Sequence, residues 1–196
     1  MDGSSGYPEP AHCSACGHQV RPVDAHGEPA WACQACGQLH FRRPTVGVAV
    51  VVVEDGRILL VRRRYGARAG LWCIPCGHVG WDEDIRAAGA RELLEETGLQ
   101  VEVGEVLEAQ SNFWRPDRQT VGVWFAGRRV GGTLRAGDDA ADAAFFDFDD
   151  LPELAFATDR SVLDQLVVAA ATRRSRTGPA GGSGRRRRAG PPPRRE

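Results

Sequence analysis

A dense run of β-branched and small apolar side chains occupies residues 45–53, and a shorter apolar run follows at 58–61. Glu54-Asp55-Gly56 separates them. An Asp-Gly step between two such runs predicts a hairpin, because both residues tolerate the positive φ of a tight turn. Residues 70–80 are rich in glycine with one proline and predict a strand end and a loop. Good helix formers fill 83–97 and stop at Gly98, a residue suited to a left-handed cap, so a helix is predicted there. Short strands are predicted at 101–106 and 121–125. A final amphipathic helix is predicted from about Asp159 through Val162, Leu163, Leu166, Val167 and Ala170. Strands interleaved with helices give an α/β fold. Residues 1–10 and 173–196 have almost no apolar side chains to offset their ordering entropy and are expected to be disordered. There is no internal repeat.

A chain of 196 residues holds one core of ordinary size and a small accessory module, not two large domains. Its net charge of -1 hides an asymmetry: all 25 basic residues are arginine, and nine of them with a single glutamate fall in residues 173–196, which leaves about -9 for the rest. An acidic body argues against a dedicated nucleic-acid binder, whose folded domain should be basic. The arginine-rich tail is the segment through which nucleic acid could be engaged. No charged-then-apolar leader opens the chain. The longest apolar stretch free of glycine, 48–53, is far too short to span a bilayer. A soluble, cytoplasmic protein with no membrane partner is the expectation.

The chemistry concentrates on the 83–97 helix. At 100° per residue, Ile85, Ala88, Gly89, Glu92 and Glu96 share one stripe, with Glu95 at its edge. The inward face therefore turns from apolar to acidic. Three carboxylates near a helix C-terminus oppose the macrodipole, and Glu92/Glu96 is a like-charge i, i+4 pair, each unfavourable by about 0.3–1 kcal/mol. A bound divalent cation would reverse that sign; a solvated acidic face is the bland alternative.

The order of these residues adds a second line. GHVGWDEDIRAAGARELLEETGL (77–99) resembles the signature of the Nudix hydrolases: Gly77, five residues, Glu83, seven residues, then Arg91-Glu92-Leu93-x-Glu95-Glu96-x-Gly98-Leu99. RILLVRRR, GLWCIPCG and DDAADAAFFDFDDLP resemble the family's flanking strands, so the likeness covers roughly 44–170. It implies an α/β/α sandwich around a mixed sheet, with the box forming a loop, helix and loop. It also implies a Mg2+- or Mn2+-dependent hydrolase. By that likeness Glu92 and Glu96 bind the metal, Glu95 binds metal or helps activate water, Arg91 holds a catalytic glutamate, and Glu83 sits at the entry of the site. The backbone carbonyl of Cys76 is a further candidate ligand, and Asp139 or Asp142 the nearest match to a late acidic ligand. The box departs from the commonest pattern at Cys76, Gly80 and Asp82, where glycine or alanine, glutamate, and glycine are usual.

Six cysteines form three CxxC pairs. Cys13/Cys16 and Cys33/Cys36 are 16 residues apart, within the spacing of four-cysteine zinc sites, and Gly17 and Gly37 follow each pair. With too few apolar side chains for its own core, this segment is expected to need structural Zn2+. His18 is a spare candidate ligand. Cys73/Cys76 flanks a strand end and is read as incidental. The expected domains are a zinc ribbon at 11–43 and a Nudix domain at 44–172.

A ribbon before a Nudix domain resembles the NADH pyrophosphatase branch and related ADP-ribose or FAD pyrophosphatases. Residues 109–119, AQSNFWRPDRQ, lack that branch's Ser-Gln-Pro-Trp-Pro-Phe-Pro. The leading expectation is cleavage of the diphosphate linkage of a nucleoside diphosphate derivative of the ADP-ribose, NAD(H) or FAD type, with Trp114, Arg115 and Phe113 as candidate nucleotide contacts. Sanitation of oxidised nucleoside triphosphates and a nucleic-acid-binding regulatory role are the alternatives. Many family members are dimers, so a homodimer is the assembly to test.

Overall fold

The computed structural model describes residues 9–115 and 118–176; the side chains of residues 114–118 and 169–176 lie outside the description. Three strands come first, β1 (Val20–Ala25), β2 (Glu28–Cys33) and β3 (Leu39–Phe41), forming an antiparallel sheet in that order. They alternate Arg, Pro, Asp and Glu with few apolar residues, so no period-2 signal announced them.

The remaining elements are β4 (Thr45–Glu54), β5 (Arg57–Arg63), β6 (Trp72–Cys73), β7 (Cys76–His78), α1 (Ile85–Thr97), β8 (Leu99–Arg115), β9 (Arg118–Gly132), β10 (Ala140–Asp147) and α2 (Ala157–Arg176). The strands make one sheet in the order β10-β5-β4-β9-β8, with β6 beside β5 and β7 beside β4. β4 and β9 run parallel and all other pairs antiparallel, so the sheet is mixed.

The expected β4–β5 hairpin is present, with Asp55 at φ 51° and Gly56 at φ 77°. Its strands pair only next to the turn, at Val53–Ile58 and Glu54–Arg57. Beyond it they part, and the Cys73-Ile-Pro-Cys76 segment fills the gap, β6 on β5 and β7 on β4. The segment expected as strand end and loop thus supplies two short strands.

Alternation along β4 builds the layers. Val48, Val50 and Val52 point to one face, packing with Ala88, Leu93, Leu99 and Phe125 under α1. Ala49 and Val51 point to the other, packing with Ile58, Trp124, Val162 and Leu163 under α2. This is the expected α/β/α sandwich.

Two expectations were too short. β8 and β9 extend far beyond 101–106 and 121–125, because β8 is an edge strand with several register shifts and carries Glu102, Gly104, Glu105, Glu108 and Gln110, which blur the apolar alternation. α2 begins two residues before Asp159 and continues to Arg176, four residues into the segment expected as tail. Residues 1–8 and 177–196, expected to be disordered, lie outside the described residues. Among the described residues no helix is long and apolar enough to cross a membrane.

Candidate active site and cysteine cluster

The acidic end of α1 is placed by its packing. Asp84 caps the helix, its carboxylate accepting from the Arg86 and Ala87 N–H groups at 2.9 and 3.1 Å. Gly98 closes it at φ 68°. Gly89 lets the helix lie close on β4, since a Cβ there would sit 2.9 Å from both Val48 and Val50 methyls. The Glu92 carboxylate then lies against the backbone of Gly77 in β7, where any Cβ would overlap it. The first glycine of the box is therefore required by the carboxylate that follows fifteen residues later.

Arg91 is the hub of the cluster. Its Nε and Nη2 donate to the two oxygens of Glu83 at 2.7 and 2.9 Å, its Nη1 to Glu92 at 2.9 Å and Glu95 at 3.1 Å, and Nη2 also to the His78 carbonyl at 3.2 Å. The Gly80 N–H donates to Glu83 at 2.8 Å. The Arg91 hydrogen bonds, then the Gly80 N–H, bring the Glu83 carboxyl down to about 2. Asp82, where glycine is usual, holds φ 59°, the left-handed region that explains that preference.

Glu96 has a different environment. It is buried, its Oε2 accepts from the Cys76 N–H at 2.9 Å, and Arg91 does not reach it. Burial first, then the neighbouring Cys76 and Asp139, push its carboxyl up to about 10. Asp139 arrives there because the C-terminal carbonyls of α1 hold the loop before β10: Gly137 N–H donates to Glu96 O at 3.0 Å and Arg135 N–H to Thr97 O at 2.9 Å.

A cavity of about 390 Å³ opens beside Glu92, Cys76 and Asp139, walled by Arg63, Trp124 and Asp159. Asp159 is buried at the start of α2. Its two oxygens accept from Ile74 N–H and Trp124 Nε1, both at 3.1 Å. Burial raises its carboxyl to about 6.

A second cluster lies before β4. All four sulfurs of Cys13, Cys16, Cys33 and Cys36 fall within 4.8 Å of one another, and no disulfide links them. Two matching turns deliver them. Gly17 N–H bonds Cys13 O and Gly37 N–H bonds Cys33 O, with both glycines at positive φ, 75° and 72°. His18, the expected spare ligand, instead sets its Nδ1 3.2 Å from the Cys16 carbonyl. An imidazole that does reach the thiols is that of His40 in β3, with Nε2 3.3 Å from Cys13 Sγ.

The NUDIX domain profile matches residues 41–166. The chain belongs to the Nudix hydrolase family. It is 35% identical over 130 residues to an ADP-ribose pyrophosphatase of Methanocaldococcus jannaschii, covering 64% of this chain and 75% of that protein. It is 30% identical over 144 residues to a NAD-capped RNA hydrolase NudC of Stutzerimonas stutzeri, covering 72% of this chain and half of that longer protein. Among solved structures, a NUDIX hydrolase from Nitrosomonas europaea aligns with a TM-score of 0.75 at 24% identity, over 87% of this chain and 96% of that one. A MutT NUDIX hydrolase from Burkholderia pseudomallei aligns at 0.59 with 29% identity, over 64% and 99%.

Within this Nudix frame the structure gathers Glu83, Arg91, Glu92 and Glu95 in one hydrogen-bonded cluster, with Glu96, Cys76 and Asp139 behind it. The carboxylates remain apart: among the described residues only the four thiols bring three or more metal-ligating atoms within 4.8 Å. Asp142 turns away from the cluster and pairs with Arg62 at 3.6 Å. Phe113 is exposed, and the side chains of Trp114 and Arg115 lie outside the described residues. Sequence reasoning missed Arg63, Trp124 and Asp159, which come from three separate elements with no fixed spacing. The available signal was weak, a run of three arginines closing an apolar strand that does not single out Arg63 and a lone aspartate in the first turn of a helix.

Proposed function

We propose that this Nudix protein cleaves the diphosphate bridge of a nucleoside diphosphate derivative of the ADP-ribose, NAD(H) or FAD type, using Mg2+ or Mn2+. The observation that carries the reading is the buried carboxyl of Glu96, whose charged neighbours Asp139 and Glu92 line a cavity of about 390 Å³. A carboxyl that burial and like-charged neighbours drive up to about 10 is a site short of positive charge. Hard oxygen donors of this kind fit a divalent cation, so the residues present suit the group. Glu92, Glu95 and Glu96 would hold it, with Asp139 and the Cys76 carbonyl as further donors. When bound, such a cation neutralises the diphosphate and lowers the pKa of bound water.

The chain's own residues do the rest. Arg91 fixes Glu83 with a two-point contact and donates from its remaining amino group to both Glu92 and Glu95. In this reading Glu95, the exposed one of the three carboxylates at the end of α1, accepts the proton of the attacking water. The names of the relatives in Methanocaldococcus and Stutzerimonas support a substrate of the ADP-ribose or NAD type.

The four cysteines are the zinc site of this reading. A tetrahedron with metal–sulfur bonds of about 2.3 Å has sulfur–sulfur edges of about 3.8 Å. The separations of 3.8 Å for Cys13–Cys36, 3.4 Å for Cys16–Cys33 and 3.5 Å for Cys16–Cys36 approach that spacing. Structural Zn2+ there would fasten the β1–β3 sheet.

The test is a Mg2+-supplemented turnover screen of wild type and Glu92→Gln against ADP-ribose, NADH, FAD and 8-oxo-dGTP, with products identified. AMP release from one of the first three, lost in the folded variant, is the expected result. Preference for 8-oxo-dGTP would replace the substrate class, and an undiminished rate in the variant would remove the site.

A further inference from the structure

The thiols of the third CxxC pair, Cys73 and Cys76, are free and take no part in the four-sulfur cluster. The segment that carries them turns back on itself. β6 runs antiparallel to β5 and β7 antiparallel to β4, and those two strands are themselves antiparallel. The chain therefore reverses direction across Ile74-Pro75, with a bend at Pro75. Cys73 and Cys76 are the first and fourth residues of that reversal, a span over which Cα atoms come within about 7 Å. A disulfide bridges Cα separations of about 4.4–6.8 Å.

The two side chains share one neighbourhood. Cys73 is fully buried with Val61, Ala140 and Ala155, and Cys76 packs against the same group. Contact with the Cys73 thiol first, and burial second, push the Cys76 thiol up, so the sulfurs lie against each other. The Arg63 guanidinium stands beside both, a positive charge of the kind that assists attack by sulfur. Access to the pair is one-sided. Cys76 lines the cavity, and Cys73 lies behind it.

The backbone of the turn is tied to the carboxylates. Ile74 N–H donates to Asp159 at 3.1 Å, Val50 N–H to the Pro75 carbonyl at 3.0 Å, and Cys76 N–H to Glu96 at 2.9 Å. The next residue, Gly77, is the one against which the Glu92 carboxylate rests. Any movement of Cys76 is therefore felt by two of the carboxylates proposed to hold the cation.

We propose that Cys73 and Cys76 are an oxidisable pair, closed to a disulfide by hydrogen peroxide, and that the closed form loosens the carboxylates' hold on their cation. The Cys76 sulfur attacks one peroxide oxygen. The O–O bond breaks, the leaving hydroxide takes the thiol proton and departs as water, and Cys76 becomes a sulfenic acid. The Cys73 sulfur then attacks the Cys76 sulfur, the S–O bond breaks, and the hydroxyl leaves with the Cys73 proton as a second water. The two thiols lose two electrons and the peroxide gains them. Drawing the sulfurs to a bond of about 2 Å shifts Cys76, and with it the N–H on Glu96 and the backbone under Glu92. The second half of the proposal rests on the cation site proposed above; the oxidation itself needs neither cation nor substrate.

The full chain, loaded with zinc and treated with one equivalent of hydrogen peroxide, tests this by peptide mass mapping without reductant. Mn2+ affinity by calorimetry and turnover are measured before treatment, after it, and after dithiothreitol. The expected result is a Cys73–Cys76 link, a Mn2+ dissociation constant raised at least tenfold, turnover lowered to match, and recovery of both on reduction. Cys73→Ala, with Cys73→Ser as the closer companion and melting curves to report folding, should form no link and hold its Mn2+ affinity within twofold under the same treatment. Oxidation confined to the four ribbon thiols, a link that leaves Mn2+ affinity unchanged, or an equal loss in the folded Cys73 variants would overturn the proposal. A wild type that shows the link and the weakened Mn2+ binding but hydrolyses nothing in the turnover screen would leave the oxidisable pair standing and remove the proposed substrate class instead.

Discussion

At the scale of single residues, the site is a problem of charge placed where little compensates it. Arg91 supplies one positive charge to three carboxylates, and none of its contacts reaches Glu96. The consequence is opposite behaviour within one cluster. Glu83, brought down to about 2 from an ordinary 4.5, favours the fold above pH 4.5, and that contribution disappears as pH falls towards 2. Glu96, raised from 4.5 to about 10, does the reverse: its contribution is full below pH 4.5 and is lost as pH rises through 10. At neutral pH Glu96 therefore carries a proton in the metal-free protein, and a cation that uses its carboxylate must displace it. Mg2+ binding should release protons, visible as a calorimetric heat that changes with the ionisation enthalpy of the buffer. In Glu96→Gln the buffer dependence should vanish; its survival would place the proton elsewhere. Gly77→Ala tests the packing beneath Glu92. The added methyl overlaps the carboxylate, so turnover should fall at least a hundredfold, about 2.7 kcal/mol in the barrier, with little change in melting temperature. Activity within threefold of wild type would show that Glu92 has no need of that position.

At the scale of elements, α1 delivers the chemistry because a glycine lets it come close. Gly89→Ala improves helix propensity by about 1 kcal/mol but drives a methyl to 2.9 Å from Val48 and Val50, where overpacking is unfavourable by about 1–3 kcal/mol. A net loss is expected, read as a lower urea midpoint at unchanged slope; a gain would mean that β4 yields easily. The same helix shows what was legible beforehand. Its limits, caps and acidic stripe follow from local rules acting over thirteen residues, and its order of residues matches a known pattern, so both helix and cluster could be named. The strands around it were less legible. β8 is solvated along one edge and shifts register several times, so its polar residues hid eleven positions of strand beyond the six expected. The cavity wall was not legible at all. Trp124, Asp159 and Arg63 meet only through pairing of β4 with β9 and docking of α2, and pairwise register across 75 residues leaves no trace in local periodicity.

At the scale of the whole molecule, the two sheets are stabilised by different physics. The seven-stranded sheet is closed on both faces by helices and holds the large buried aliphatic side chains, Ile58, Leu59, Leu60, Leu93, Leu99 and Leu163 among them. In the β1–β3 segment the buried apolar residues are Cys13, Ala30, Trp31 and Cys33, two of which are themselves thiols of the cluster. Apolar burial on that scale cannot offset the ordering of three strands and two turns, at about 1–2 kcal/mol of backbone entropy per residue. Metal binding at the thiols can, because the site is absent from the unfolded chain and the free energy of binding then becomes free energy of folding. A zinc-selective chelator, added with Mg2+ in excess so that the carboxylate cluster keeps its own cation, should therefore unfold the first sheet alone. Limited proteolysis should begin to cut within residues 11–43, Trp31 emission should shift to longer wavelength, and the thermal transition of the larger sheet should persist. Cys36→Ser should reproduce the pattern without chelator, and metal analysis of the wild type should return one zinc per chain. If chelation leaves residues 11–43 as resistant as before, the four thiols are not what holds that sheet together.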